Sequence, residues 1–402
     1  MAQLRSKKIR IAAITSVATA ALVGGFTALP AQAAPAKGTV LAAGSPTAIK
    51  DSYIISLKKT AGFKASSSEG KELISEYGGT VKKTFGAALN GYTATLSAEE
   101  AARLAADPSV ATVEQNQTVH LTDTTQTSAP WGLDRIDQAA LPLSTTYTYP
   151  DTAGAGVTAY VIDTGVRITH TQISGRAAYG YDAVEGDSVA QDGNGHGTHV
   201  ATTIAGSTYG VAKKANIVAV RVLDNAGSGT TAGVIAGINW VTSNHSGPSV
   251  ANMSLGGGAS TTLDTAVANS IASGVTYAIA AGNSNANASS YSPARVATAI
   301  TVGATTSTDA RASYSNYGSV LDIFAPGSSI LAGYNTSDTA TATLSGTSMA
   351  TPHVAGAAAI YLASHTSATP AQVSTALVNG ATSNVVTSAG TGSPNKLLKL
   401  VP

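Results

Sequence analysis

Two patterns of apolar and polar positions divide the chain. From Ser52 to Leu121, short alternating runs are interleaved with two amphipathic stretches. Ser52–Leu57, Val81–Phe85, Tyr92–Leu96, Val110–Val113 and Thr118–Leu121 read as strands, and Glu69–Tyr77 and Ala98–Ala106 as helices. Ser97 with Glu100 three places on forms a capping box at the second helix. The order is that of a small α+β, ferredoxin-like module with the β-α-β-β-α-β arrangement. From Trp131 onward the pattern changes. Val157–Ile162, Ile217–Val222, Val250–Met253, Val275–Ala280 and Ala299–Val302 are continuous apolar runs, as in strands buried on both faces. His199–Ala205, Thr231–Ser243, Leu263–Ser273 and Met349–Ser364 carry helical spacing between or after them. This alternation predicts an α/β fold, a parallel sheet with helices on both faces. Ligands of such sheets sit outside the carboxyl ends of the strands.

The first 33 residues have another character. Arg5, Lys7, Lys8 and Arg10 precede an apolar run, Ile11–Leu29, and Ala31-Gln32-Ala33 offers a small-residue cleavage site. That is the layout of a secretory signal peptide, so the mature protein is expected outside the cell, with no stable membrane association. The competing reading is an uncleaved anchor, because the apolar run is nearly long enough to span a bilayer. Gly24, Gly25 and Pro30 ahead of the cleavage site favour removal. Residues 34–50 form an Ala/Pro/Gly linker. The expected organisation is therefore 1–33 signal, 34–123 small domain and 124–402 large domain.

Composition narrows the functions. The 402 residues are 43% hydrophobic, which suits packed domains rather than disorder. From Thr124 on there are 10 Lys+Arg against 13 Asp+Glu, and no basic patch with interleaved aromatics. Nucleic acid is thereby excluded as a partner. The chain has no cysteine, hence no disulfide and no thiolate metal site, which leaves the compartment open.

Three segments place reactive side chains where strands end or helices begin. Asp163 closes the run A-Y-V-I-D-T-G, and His196 follows the glycine-rich loop D-G-N-G-H-G-T-H. Ser348 lies in L-S-G-T-S-M-A-T-P-H-V-A-G, with Pro352 expected in the first turn of the helix it opens. A serine before a helix is most often a cap. Together, however, a hydroxyl, an imidazole and a carboxylate supply the roles of acyl transfer: Ser348 attacks, His196 moves the proton, and Asp163 fixes the imidazole tautomer.

These three motifs, in the order Asp, His, Ser, resemble the signatures of subtilisin-like serine proteases. The likeness runs from about Trp131 to Leu398 and is closest to the proteinase K and aqualysin branch, through A-P-W-G-L-D-R-I-D-Q, N-M-S-L-G-G-G, A-A-G-N and S-P-A-R-V. It implies a secreted, monomeric serine endopeptidase acting on protein or peptide substrates and made as a pre-pro-protein. The small domain then serves as its own inhibitory propeptide. Val119-His120-Leu121-Thr122-Asp123 would lie in the cleft and be cut there by Ser348, leaving a chain that starts near Thr124. Asn283, in A-A-G-N, corresponds to the family's oxyanion asparagine. Ser254, Leu255 and Gly256, and the strand edge Gly227-Ser228-Gly229, would pair with an extended peptide. Ala280, Ala281 and Gly282 would line an S1 pocket without charge, implying broad specificity with apolar or aromatic P1 residues. Catalysis needs no cofactor, but structural calcium is implied. Asp322 with carbonyls near Ala297 and Ala299 would form one site. Asp134, Asp137 and Gln138 match part of a second, with Ser144 where an acid is expected. Members of the branch carry disulfides where this chain has Gly193, Asn225 and Ser289.

Other patterns fall away. Gly227-Ser228-Gly229 with Gly233 imitates a dinucleotide loop, but the third glycine is one place late and no ribose-binding acid follows. Ala350 breaks a G-x-S-x-G elbow, which disfavours an α/β-hydrolase acting on esters. His199 and His353 read as structural, and His120, His170, His245 and His365 take no role. The remaining alternative is a catalytically silent, peptide-binding pseudoprotease, against which the complete set Asp163, His196, Ser348 and Asn283 speaks.

Overall fold

A computed structural model of the protein describes residues 36–45, 47–118 and 123–401. The signal-like residues 1–33 and the segment 119–122 lie outside the described residues. The chain separates into two compact units, Met1–His120 and Leu121–Pro402.

In the small unit, Ala48–Leu57 is the central strand of a five-stranded sheet. The order is Val40–Leu41, Val110–Gln117, Ala48–Leu57, Gly91–Thr95, Thr80–Phe85. Helices Ser68–Glu76 and Ala98–Leu104 cover it over a core that includes Ile55, Ile74, Leu104 and Val113. The capping box forms: Ser97 Oγ accepts from Glu100 N and Glu100 Oε2 accepts from Ser97 N at 2.7 Å. Two expectations need correction. Val40–Leu41 is a strand within the stretch read as linker, paired in parallel with Val113 and Glu114. Val110–Gln117 runs four residues past the predicted end at Val113, because the half-exposed, polar Glu114-Gln115-Asn116-Gln117 masked its continuity; the strand predicted at Thr118–Leu121 lies, after Thr118, outside the described residues.

The large unit is built on nine strands. Their order is Thr382–Ser383, Lys396–Leu397, Ile323–Pro326, Ile300–Thr305, Thr276–Ala280, Ser249–Met253, Thr158–Asp163, Asn216–Arg221, Ala177–Asp182. All neighbours run parallel except the edge pair formed by Thr382–Ser383. Alternation along the central strand explains its unbroken hydrophobicity. Ala159 and Val161 pack in the layer that holds helices His196–Ala205 and Thr347–Ser364. Tyr160 and Ile162 pack in the layer of helices Thr231–Asn244 and Thr261–Ala272. Both faces are therefore core.

The helix Thr347–Ser364 is apolar on nearly every side because it is enclosed on nearly every side. Its small residues permit close approach to its neighbours. A Cβ on Gly356 would lie 2.6 Å from Val211 Cβ. Pro352 is the sixth residue of this helix, not part of its first turn. Its missing N–H deprives the Ser348 carbonyl of the donor four residues on.

Several elements escaped sequence reading, among them Trp131–Asp137, Thr146–Pro150 and Ile323–Pro326, and two others show why. Ala177–Asp182 is an edge strand diluted by Gly180 and polar ends. The helix Pro370–Gly380 carried a readable signal, a capping box between Thr369 and Gln372 with proline in the first turn. Gly227-Ser228-Gly229, expected on a strand edge, is a loop. It is pinned by Asp224, whose Oδ1 accepts from Ser228 N at 2.9 Å and whose N donates to Ser228 O at 2.8 Å.

Candidate active site

Asp163 ends the strand Thr158–Asp163, and His196 is the first residue of the helix His196–Ala205. Gly195, at φ 111°, makes the left-handed turn that starts this helix. His196 Nδ1 and Asp163 Oδ1 are 2.7 Å apart. Asp163 is fully buried, while the His196 side chain is 26% exposed, so one end of the pair is locked and the other faces a cleft. Thr164 N donates to the same Asp163 oxygen at 2.7 Å. Oδ2 is buried without a partner among the described residues.

A second carboxylate organises the loop before His196. Asp192 Oδ1 accepts from Thr164 Oγ1, Asn194 N and Gly195 N, and Oδ2 accepts from Thr198 N and Oγ1. Burial disfavours the charged imidazole, but the Asp163 carboxylate, its hydrogen bond and Asp192 outweigh that. The His196 pKa is therefore raised above its ordinary 6.5.

Ser348 is the second residue of the helix Thr347–Ser364 and is half-buried. Its Oγ donates to Ser254 O at 3.1 Å and, among the described residues, makes no hydrogen bond to His196. Ser254 lines the same cleft as His196. Asn283 sits beside the helix start. Its Oδ1 accepts from Thr347 N at 2.8 Å and Thr347 Oγ1 at 2.9 Å, which turns Nδ2 away from Thr347. A Cβ placed on Gly346 would lie 3.5 Å from Asn283 Nδ2 and 3.6 Å from Ser348 N. Both nitrogens thus border the same small volume beside Gly346, where N–H donors can stabilise an oxyanion.

The cleft beside His196 encloses about 610 Å³. Gly227, Ser228 and Gly229 form one wall, and Ser254, Leu255 and Gly256 face them. Ala280, Ala281 and Gly282 do not line it. Ala280 is 5% exposed, and the Ala281 side chain packs into a separate core cluster with Phe324 and Leu321. Gly282, at φ 100°, donates its N–H to Thr347 Oγ1. Asn283 follows these three residues directly in the chain.

Sequence reasoning passed over Asp192 and Thr347, although both stand inside the quoted motifs. It also missed Asn316, which holds the Asn283 loop by accepting from Ser284 N and Ala286 N and donating to Ala281 O. His199 and His353 spend ring nitrogens on main-chain carbonyls. His199 Nε2 meets Ile330 O and Ala342 O, and His353 Nδ1 meets Met349 O. Burial pushes both down to about 4, so they stay neutral.

With this geometry in place, similarity to known proteins can be stated. Residues 154–397 match the model of the subtilase family, and residues 52–122 match the peptidase inhibitor I9 family. An extracellular serine proteinase of Thermus sp. (strain Rt41A) is 57% identical over 321 residues, covering 80% of this chain and 78% of that protein. An alkaline serine exoprotease A of Vibrio alginolyticus is 51% identical over 373 residues, covering 90% and 69%. The crystal structure of a cold adapted subtilisin-like serine proteinase superposes with TM-score 0.67 at 56% identity, covering 69% of this chain and all of that one. The chain belongs to the subtilase family.

This subtilase is accordingly a serine proteinase that carries an I9 inhibitor domain ahead of its catalytic unit. Among the described residues no helix is long and apolar enough to cross a membrane. Nor do three His, Cys, Asp or Glu side chains cluster as a metal site, so a cation would need main-chain or amide oxygens as well. Asp322 fits such a role. Burial raises its pKa to about 6 despite the bond from Thr301 N to Oδ2, and among the described residues no cationic side chain answers it. At the second position, Asp137 Oδ1 is buried and unpartnered, and burial with the nearby Asp134 charge raises the Asp137 pKa. Asp134 itself accepts from Ser144 N and Oγ and from Thr145 N. Gln138 donates Nε2 to Pro142 O at 2.9 Å, tying down the following loop. Gly193, where relatives were expected to carry a half-cystine, lies beneath Asn225: a Cβ there would be 2.4 Å from Asn225 Cγ.

Proposed function

We propose that this subtilase is a secreted endopeptidase in which Ser348 is the nucleophile and His196 its general base. Asp163 orients the imidazole, and Asn283 Nδ2 with the Ser348 N–H binds the oxyanion. The observation that carries this reading is the 2.7 Å Asp163–His196 pair in the cleft beside a serine at a helix start. In the resting arrangement Ser348 Oγ is turned to Ser254 O. Attack requires its rotation toward His196 Nε2, an adjustment in keeping with catalytic hydrogen bonds that tighten only around substrate. Proton transfer then creates an imidazolium beside Asp163 and Asp192, and the tetrahedral oxyanion faces the two N–H donors. Collapse returns the proton from His196 to the leaving amine.

The peptide would lie between the Gly227–Gly229 loop and Ser254–Gly256, pairing by β-augmentation with main-chain groups other than Ser228 N and O and Ser254 O, which are bonded within the protein. Among the described residues no charged side chain lines this cleft apart from His196 when protonated, which supports broad specificity with apolar or aromatic P1 residues. A cleavage profile on a mixed peptide library, dominated by Lys or Arg at P1, would refute that preference.

The organisation that goes with this is a signal at 1–33, a propeptide at 34–123 and a catalytic domain at 124–402. Ser348 itself would cut the junction. Ser348→Ala is therefore expected to accumulate as one unprocessed chain, read by mass spectrometry, whereas the parent chain yields a species starting near Thr124. Normal processing of the alanine variant would exclude self-cleavage.

Calcium would be structural, held by Asp322 with the Ala297 and Ala299 carbonyls, and at a second position by Asp134, Asp137 and Gln138. One site at 100 times its dissociation constant adds about 2.7 kcal/mol, roughly 5–10 °C in Tm for a domain of this size. Chelation of the inhibited mature enzyme should lower Tm by about that amount. In Asp322→Asn the calcium-dependent part attributed to the first site should vanish; an unchanged calcium response would remove Asp322 from the ligand set.

A further inference from the structure

A helix normally satisfies each carbonyl with the N–H four residues on. For Ser348 that residue is Pro352, which has no N–H. The carbonyl of Ser348 is thus left over in the first turns of an enclosed helix. Ser254 Oγ fills the gap, donating to Ser348 O at 2.8 Å. Ser254 is 4% exposed, and its Oγ accepts in turn from Asn252 Nδ2 at 2.9 Å. Asn252 belongs to the strand Ser249–Met253 and is fully buried. In the opposite direction Ser348 Oγ donates to Ser254 O. The two serines, 94 residues apart, therefore hold each other through reciprocal bonds.

The proline changes what anchors this end of the helix. With an ordinary residue at 352, Ser348 O would be bonded within the helix alone. With proline there, Ser348 is bonded to the end of the central sheet, the same layer that carries Asp163. We infer that the Ser254 hydroxyl, oriented by Asn252, is a positioning residue: it ties the Ser348 peptide to the sheet and so sets where the Ser348 Oγ and N–H stand relative to His196 and Asn283. This rests on the reading of Ser348 as nucleophile. It is separate from substrate pairing at Ser254–Gly256, which uses main-chain groups that no side-chain substitution removes.

The test uses mature enzyme obtained from the full chain, with the propeptide supplied in trans where self-processing is slow. Three quantities are read: the second-order rate of labelling by a small fluorophosphonate, kcat and KM on a peptide ester, and Tm of the inhibited protein. Ser254→Ala should lower labelling and kcat about 10- to 100-fold, the scale of a misplacement of about 1 Å, while KM stays within about twofold. Ser254→Thr, which keeps the Oγ, should recover most of the labelling rate. The decisive variant is Ser254→Ala combined with Pro352→Ala. Alanine at 352 restores an N–H for Ser348 O, so Tm should recover while the labelling rate stays low, because the tie to the sheet is still missing. Recovery of rate together with Tm would reduce Ser254 to satisfying a buried carbonyl and overturn the inference, as would parental labelling in Ser254→Ala. Labelling that persists in Ser348→Ala would instead refute the nucleophile reading itself.

Discussion

Alanine at position 196 is expected to lower kcat of the mature enzyme on the order of 10⁶-fold, the scale known for the corresponding group in subtilisin rather than one obtained from this structure. The physical reason lies in the lack of any substitute base. His199, three residues on in the same helix, bonds with Nε2 to the carbonyls of Ile330 and Ala342 and is fully buried. His353 is likewise buried and tied to Met349 O. Among the described residues no other imidazole lines the cleft. Ester hydrolysis by His196→Ala, matured with propeptide in trans, should fall to the level left by oxyanion binding and proximity. Retention of more than about one per cent of kcat would place the base elsewhere, since a positioned acid–base group is worth roughly 10²–10⁴-fold by itself.

Asp163→Asn is expected to cost about 10⁴-fold in kcat with little change in fold, the scale known for the corresponding substitution in the convergent trypsin-type triad. Asp163 Oδ1 accepts from both His196 Nδ1 and Thr164 N, and Oδ2 has no partner. An asparagine has only one oxygen to offer. If its NH₂ faces His196, Nδ1 must become the acceptor and the proton moves to Nε2, where it blocks uptake of the Ser348 proton. If the NH₂ takes the Oδ2 place, a buried donor is left unsatisfied. The pH dependence follows with a definite sign. Only neutral His196 can act as base, and Asp163 raises its pKa above 6.5. The acid limb of kcat/KM in the parent enzyme should therefore fall at a pH above that of a free imidazole. Removing the Asp163 charge should move the limb to lower pH while lowering the plateau. An acid limb that stays in place in Asp163→Asn would mean that the limb reports some other group.

The folding of the catalytic unit gives these substitutions different structural risk. Asp163 is at the end of a strand whose other residues pack both sheet faces, so an isosteric change there leaves the core contacts of Val161 and Ile162 intact. Asp192 is more exposed to damage in this sense, since its two oxygens hold both the Gly195 turn and the Thr198 end of the helix start. Loss of that carboxylate would disturb the backbone of His196 before it changed any charge.

Much of this protein could be read from residue order. Continuous apolar runs such as Val157–Ile162 predicted strands covered on both faces, and the helices between them predicted the parallel sheet that forms. Ser97 and Glu100 announced a helix start because capping is local. Asp163, His196, Ser348 and Asn283 stood out as candidates because each sits in a short segment whose glycines and helix start are local features too. Other features were hidden because partners distant in the chain create them. Ala177–Asp182 becomes a strand only by pairing with Asn216–Arg221, and Val40–Leu41 only by pairing with Val113–Glu114. Ala281 packs in a cluster with Phe324, 43 positions away, which no local pattern announces. Pro352 was placed one turn too early, which concealed the orphaned Ser348 carbonyl.

Sequence by itself thus determined most of the long elements, the α/β class and the candidate reacting groups, since all of these depend on side-chain chemistry and on periodicity within a few residues. Tertiary structure alone decided which atoms those groups hold: Asp163 Oδ1 on His196 Nδ1, Asn283 Oδ1 on Thr347, Ser254 Oγ on Ser348 O. Hydrogen bonds reach about 3 Å, and residues 33, 64 and 94 positions apart come within that reach only when the sheet and its helices have packed.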